Sequence, residues 1–220
     1  MKKLFLVIIF LFFVLSEGFS QNIRYGLAGG INQCELLGPN KPTSYNKVLG
    51  FSAGLFTDIR FEKHTSTQIN LQFSRYYFRF FNKIENLTNA HFNVKETNDY
   101  ISLPVVIKYK RGTDVTFSYF SAGLQTSVLI NSNRSVNATS RNLGIDGKTY
   151  YSYKNNWYDY GIVGNIGFQF MPITLNFSYY YSMRNLYTKE GAWEMRYGIP
   201  SLSLSWQINY KKPHPHDISW

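Results

Sequence analysis

The stretch SLSLSWQINY, residues 201–210, sets Leu202, Leu204, Trp206, Ile208 and Tyr210 against Ser201, Ser203, Ser205, Gln207 and Asn209. A period of two held over ten residues is the signature of a β-strand with one apolar and one polar face. The alternation does not itself say which solvent meets which face. A soluble, calycin-like barrel turns its apolar face inward, whereas a barrel in a bilayer turns it outward and keeps the polar face for its interior. Choosing between them needs the rest of the chain.

The same pattern recurs. Eight strands are expected, at 24–32, 47–60, 67–81, 97–110, 114–130, 156–170, 173–183 and 201–210. In the fourth, Ile101, Leu103, Val105, Ile107 and Tyr109 oppose Ser102, Pro104, Val106 and Lys108. In the seventh, Leu175, Phe177, Tyr179 and Tyr181 oppose Thr174, Asn176 and Ser178. The end of the third, Arg75 to Phe80, breaks phase, so a bulge or a departure from the bilayer is expected there. Short connections near 61–66, 110–114 and 171–172 alternate with long ones near 33–46, 82–96, 131–155 and 184–196. Outer-membrane barrels have this arrangement, with short periplasmic turns and longer extracellular loops; a soluble sandwich has no reason to keep it.

Composition agrees. Charged residues are 16% of the 220, while aromatic residues reach 18%, with 18 Tyr and 18 Phe. Soluble domains carry roughly 25% charge, and Tyr and Trp suit a membrane–water boundary. Residues 1–20 place Lys2 and Lys3 before twelve unbroken apolar residues, Leu4 to Leu15, and end on Gly18 and Ser20, which is the pattern of a secretory signal peptide. That apolar core is shorter than the ~20 residues a spanning helix needs. The expected fold is therefore all-β: an eight-stranded antiparallel up-and-down transmembrane β-barrel over 21–210, in the outer membrane of a Gram-negative cell. Residues 211–220 form a periplasmic C-terminal tail. An open sheet edge is not tolerated in lipid, so the first and last strands must pair. An eight-stranded interior is filled by side chains, not open as a wide pore.

The interior is expected to hold Ser, Thr, Asn, Gln and Gly with the charges Asp58, Lys108 and Asp159. A lysine on the lipid face at mid-depth costs roughly 2–4 kcal/mol, so these charges should turn inward and pair as an ion network. Leu175, Phe177, Leu202, Leu204, Trp206 and Ile208 should face lipid. The net charge of +10 falls to +9 without Lys2, Lys3 and Glu17. Its Lys and Arg are scattered, which argues against nucleic acid as a partner. Outer-membrane lipid is the expected surrounding; a basic rim also suits a surface polymer or another envelope protein. The connection 131–155 carries Arg134, Arg141, Lys148 and Lys154. It is the best place for recognition of an acidic partner, a solvated loop being the plainer reading.

No catalytic, cofactor or metal set emerges. His91 is the histidine nearest an outer-leaflet substrate, with Glu85, Glu96 and Asp99 as orienting acids, but no spacing enforces their meeting. His214, His216 and Asp217 are too few for a closed zinc centre. Cys34 is the single cysteine, so no internal disulfide forms, and it is assigned no role.

At residues 100–109 the sequence YISLPVVIKY resembles the fourth strand of the outer-membrane β-barrel domain family that includes PorT-like proteins and small OmpA-like barrels. Weaker matches are FSAGL at 51–55, YFSAGLQTSVLI at 119–130, DYGIVGNIGFQF at 159–170 and LNFSYYYSMRNL at 175–186. The resemblance implies the barrel fold, an outer-membrane location and, for the family at large, no assigned activity. A structural or surface-interaction role through external loops is the first expectation. Some relatives take part in a protein secretion apparatus, so transport or membership of a secretion complex is the alternative. A lipid-directed enzyme comes third.

Overall fold

The structure, a computed structural model, describes residues 23–39, 44–83, 91–113, 115–139, 155–187 and 195–209. The leader at 1–20, the tail at 211–220, and Arg141, Lys148 and Lys154 fall outside them. The described strands are β1 (Ile23–Gln33), β2 (Glu35–Leu37), β3 (Ser44–Arg60), β4 (Thr65–Lys83), β5 (His91–Gly112), β6 (Thr116–Thr139), β7 (Tyr158–Phe170), β8 (Ile173–Ser182) and β9 (Arg196–Gln207).

β1 and β3 to β9 pair antiparallel in chain order, and β9 returns to β1 over Gly26↔Gln207 to Asn32↔Ser201. β2 continues β1 past Cys34 and pairs with the start of β9. Together β1 and β2 make one stave of an eight-stave ring. The seam relies on two glycines. A Cβ on Gly26 would run into the carbonyl oxygen of Trp206, and one on Gly30 into that of Leu202.

The oily side chains point outward. Leu202, Leu204, Trp206 and Ile208 are 46%, 58%, 55% and 49% exposed, and Leu175 and Phe177 are exposed beside them. Ser203 is half-buried and Gln207 buried on the opposite face. A soluble carrier would show the reverse. Two aromatic bands rim the wall: Tyr25, Phe61, Tyr109, Phe170 and Trp206 at one end, and Phe51, Trp157, Tyr160, Tyr179 and Tyr181 at the other. Among the described residues, no charged side chain lies on the outer wall between them. The short turns share the first end, closed by bonds such as Phe61 N–H to Thr65 O at 3.1 Å and Met171 N–H to Val115 O at 3.0 Å. We call this the turn end and the opposite one the loop end.

Several boundaries differ from expectation. β5 and β6 are 22 and 24 residues long, far beyond the roughly 9–11 a tilted spanning strand needs. Segments expected as the loops 82–96 and 131–155 are partly strand, so β4, β5 and β6 rise as a paired blade beyond the apolar wall. There both faces are polar or mixed, and the apolar/polar alternation that betrays a strand is lost. β9 likewise begins at Arg196, not at 201. The phase break at Arg75 to Phe80 is not a bulge in β4. Tyr76 and Phe78 keep the inward phase of Ser74 and are buried. The bulge lies in β3, where Leu49 and Gly50 together oppose Tyr76, and a second register shift falls between Asp99 and Tyr100 opposite β6.

Leu204→Arg would set a guanidinium on the apolar outer wall. It should lower unfolding stability in lipid vesicles by about 2–4 kcal/mol, measured by urea titration. An unchanged midpoint would mean that Leu204 does not meet hydrocarbon.

Candidate functional site

The barrel interior is built in three layers. At the turn end, Asp58 of β3 lies cross-strand from Arg24 of β1. It accepts hydrogen bonds from Lys110 Nζ at 3.1 Å and Lys108 Nζ at 3.5 Å, with all three side chains almost fully buried. Lys108 sits 4.4 Å from the Tyr119 ring centre, and Lys110 and Arg24 sit 5.4 Å and 6.0 Å from that of Phe117. Asp58 and Lys108 thus point inward together, with Lys110 as a second cation beyond those expected from the sequence. Position gave the signal: Lys108 and Lys110 share a strand face, so one acid serves both.

The middle layer is neutral and polar. Gln68, Asn70, Gln72, Gln125, Asn165 and Asn176 help to line a cavity of about 70 Å³. Tyr119 Oη donates to Asn176 Oδ1 at 3.0 Å, and Asn165 Nδ2 donates to Ser121 Oγ at 2.7 Å. The volume suits a few ordered waters.

The loop-end layer departs from the polar interior expected. Tyr76, Tyr100 and Tyr197 pack in tilted and edge-on pairs with ring centres 5.4–6.2 Å apart, and Leu36, Phe78, Val94, Met195 and Ile199 close around them. Cys34 is fully buried in this cluster. Asp159 lies at its edge. It takes hydrogen bonds from Tyr180 Oη at 2.9 Å, Ser182 Oγ at 2.6 Å and the Tyr160 N–H at 2.9 Å. Two hydroxyls and a backbone N–H hold it, and among the described residues it forms no salt bridge, unlike the paired ion expected.

Above the tyrosines a buried carboxylate ties the blade to the barrel mouth. Glu96, whose side chain is 0% exposed, accepts from Arg134 Nε at 2.7 Å and from Asn98 Nδ2 at 2.8 Å. Asn98 Nδ2 also donates to Tyr197 Oη at 2.8 Å. Arg134 Nη2 reaches Asn155 Oδ1 at 2.8 Å, and the guanidinium lies 5.1 Å from the Tyr187 ring centre. Asn155 bridges to Tyr187, while the Leu186 N–H donates to Met195 O at 2.7 Å. Segments 155–157 and 183–187 are therefore held at the mouth by Asn155, which bonds to both members of the ionic pair and to Asn98 and Ser132. Arg134, expected in a loop, sits in β6 and is engaged here; its partner Glu96 is in β5, 38 residues away, a pairing no local pattern reveals.

The acids considered as catalytic orienters are not brought together. Glu96 faces inward, whereas Asp99 faces outward and takes Arg75 Nε at 2.6 Å and Nη2 at 2.9 Å. Glu85 lies outside the described residues. His64 Nδ1 is 3.2 Å from Lys110 O in a turn.

Residues 19–188 match the family model described as an outer membrane protein beta-barrel domain. No curated protein matches the chain significantly. Among solved structures, the attachment invasion locus protein Ail of Yersinia pestis, in complex with the heparin analogue sucrose octasulfate, is similar at 13% identity with a TM-score of 0.44. The match covers 86% of this chain and 100% of that one. Neisserial surface protein A is similar at 12% identity and TM-score 0.39, covering 84% and 97%. The N-terminal β-barrel domain of Pseudomonas aeruginosa OprF is similar at 11% and 0.31, covering 86% and 98%.

Arg134→Ala would leave Glu96 buried and uncompensated. It should cost about 3–5 kcal/mol and speed amide hydrogen exchange at 155–157 and 183–187. A cost below about 1 kcal/mol, the value of an exposed pair, would contradict the assignment of Arg134 as a structural tie.

Proposed function

The chain belongs to the outer membrane protein beta-barrel domain family, and from that premise we propose that it is a sealed membrane anchor acting through its loop end. In this reading 1–20 is a removed leader, 21–210 the barrel and 211–220 a periplasmic tail. The turn end faces the periplasm, as short turns do in such barrels. Leu175, Phe177, Leu202, Leu204, Trp206 and Ile208 meet the acyl chains. The blade of β4 to β6 stands on the loop side of the apolar wall, and Arg141, Lys148 and Lys154, which follow β6 in the chain, contact an acidic surface polymer or another envelope protein. Arg134 serves as a strut, through its pair with Glu96.

The observation that carries this reading is the double occlusion of the interior. Asp58 with Lys108 and Lys110 blocks one end, Tyr76, Tyr100 and Tyr197 block the other, and the polar cavity between them is small. A channel needs a connected water path through both layers. The reading needs no catalytic group.

Planar-bilayer recording tests it. The purified protein should add no stepwise conductance in molar salt. Regular steps that disappear when Tyr100 or Lys108 is substituted would replace the sealed anchor with the transport alternative.

A further inference from the structure

The outer face of the blade carries an unusual row. Just above the apolar wall, Arg75 pairs cross-strand with Asp99 and lies 5.8 Å and 6.0 Å from the rings of Phe51 and Phe73, with Asn131 Nδ2 donating to Asp99 Oδ2 at 3.1 Å. This neutralised, aromatic-flanked pair sits at the upper margin of the apolar wall. The next outward row holds Tyr77, Thr97 and Asn133, and the row above that runs Asn46↔Arg79↔Lys95↔Ser135 across four strands. Arg79 and Lys95 are thus directly opposite each other on one face. Tyr76 and Phe78 on one strand, and Val94 and Glu96 on the other, hold the inward positions around them.

Like charges placed directly across a ladder destabilise the pairing. Among the described residues neither Arg79 nor Lys95 has a hydrogen-bond or ion-pair partner, whereas Arg75, two outward positions below Arg79, has a bidentate one. Four residues at ~3.4 Å each on a strand tilted ~40° place the pair about 10 Å above Arg75. A headgroup layer adds roughly 5–8 Å beyond the hydrocarbon, and both side chains are long enough to reach back into it. Arginine and lysine together form a fork and a point charge for phosphoryl oxygens. Asn46 and Ser135 add neutral hydrogen-bonding groups at either side. The other half of the barrel has no such wall, since β7, β8 and β9 are only 13, 10 and 12 residues long.

We infer that Arg79 and Lys95 clamp the phosphoryl group of an outer-leaflet lipid against the outer face of the β4–β5 blade. The site rests on the outer-membrane placement but not on the sealed-anchor reading, so a conducting barrel would leave it standing. Its occupant is a lipid, not a free polymer, because the row continues the membrane-facing wall above Phe51, Phe73 and Arg75.

The test is native mass spectrometry of the full protein released from phosphatidylcholine nanodiscs doped with a bis-phosphorylated glucosamine lipid or with its dephosphorylated form. The wild type should retain the phosphorylated lipid about tenfold better, the scale of one charge-assisted contact. Arg79→Gln with Lys95→Gln should abolish that preference, while the exchange Arg79→Lys with Lys95→Arg keeps most of it. A heat-dependent gel shift confirms that each variant is folded; both positions lie on the outer wall, away from the packed interior. Equal retention by wild type and double variant would overturn the inference. So would an equal loss from Lys63→Gln at the turn end, which would make net charge the cause. Full displacement of the lipid by millimolar inorganic phosphate would assign the row to free anions and overturn the lipid as occupant.

Discussion

Inside hydrocarbon each unpaired backbone N–H or C=O costs several kcal/mol, and the β1–β9 seam removes the last row of them. Everything else in the molecule is arranged around that closure. Gly26 and Gly30 let the two strands approach, and Ser203 and Ser205 present small side chains inward where the seam crosses the polar cavity. Leu27, Leu202, Leu204 and Trp206 cover its outer side. Because an eight-stave ring leaves a narrow interior, every inward residue must fit its neighbours across the lumen as well as along the sheet.

That narrowness explains how the interior changes with height. At the turn end, two lysines compete for one aspartate with aromatic rings around them, a layer that is ionic yet buried. At the loop end, tyrosines give bulk and a hydroxyl at once, filling the lumen while meeting Asn98 and Asp159. The buried Glu96–Arg134 pair then couples the rising blade to the segments that cap the mouth. A buried ion pair contributes little net stability by itself but is costly to break, which suits a role in fixing one arrangement of the loop-end segments. The same blade, seen from outside, leads from an apolar wall through a neutralised Arg75–Asp99 pair to the facing cations Arg79 and Lys95.

Much of this was legible in the residues. The faultless alternation at 201–208, the repeats at 101–109 and 173–181, and the alternation of short and long connections dictate a closed antiparallel barrel with its oily face outward. What stayed hidden has a physical reason in each case. Strand extensions such as 91–96 and 131–139 stand outside the bilayer, where no medium imposes a two-residue period. Tyr76 and Phe78 look out of phase only if every apolar residue is assumed to face lipid; inside the loop end they are core. Lys110 is not marked by the sequence, because a charge near a strand end looks solvent-exposed until the lumen is seen to close over it. Glu96 and Arg134 meet as cross-strand partners of β5 and β6, and Asn155 joins them from beyond β6, at separations that leave no mark in local sequence. Leu49 and Gly50 bulge in β3 although the irregular stretch of sequence is in β4.

The outward orientation of the oily face is tested most directly by spin labels on the single variants Leu202→Cys, Ser203→Cys, Leu204→Cys and Ser205→Cys, each folded into lipid vesicles with Cys34 replaced by Ala. Collision with dissolved oxygen, which concentrates in hydrocarbon, should be high at 202 and 204 and low at 203 and 205. High values at 203 and 205 instead, or the same low value at all four, would contradict a membrane-spanning barrel whose polar face is sealed within.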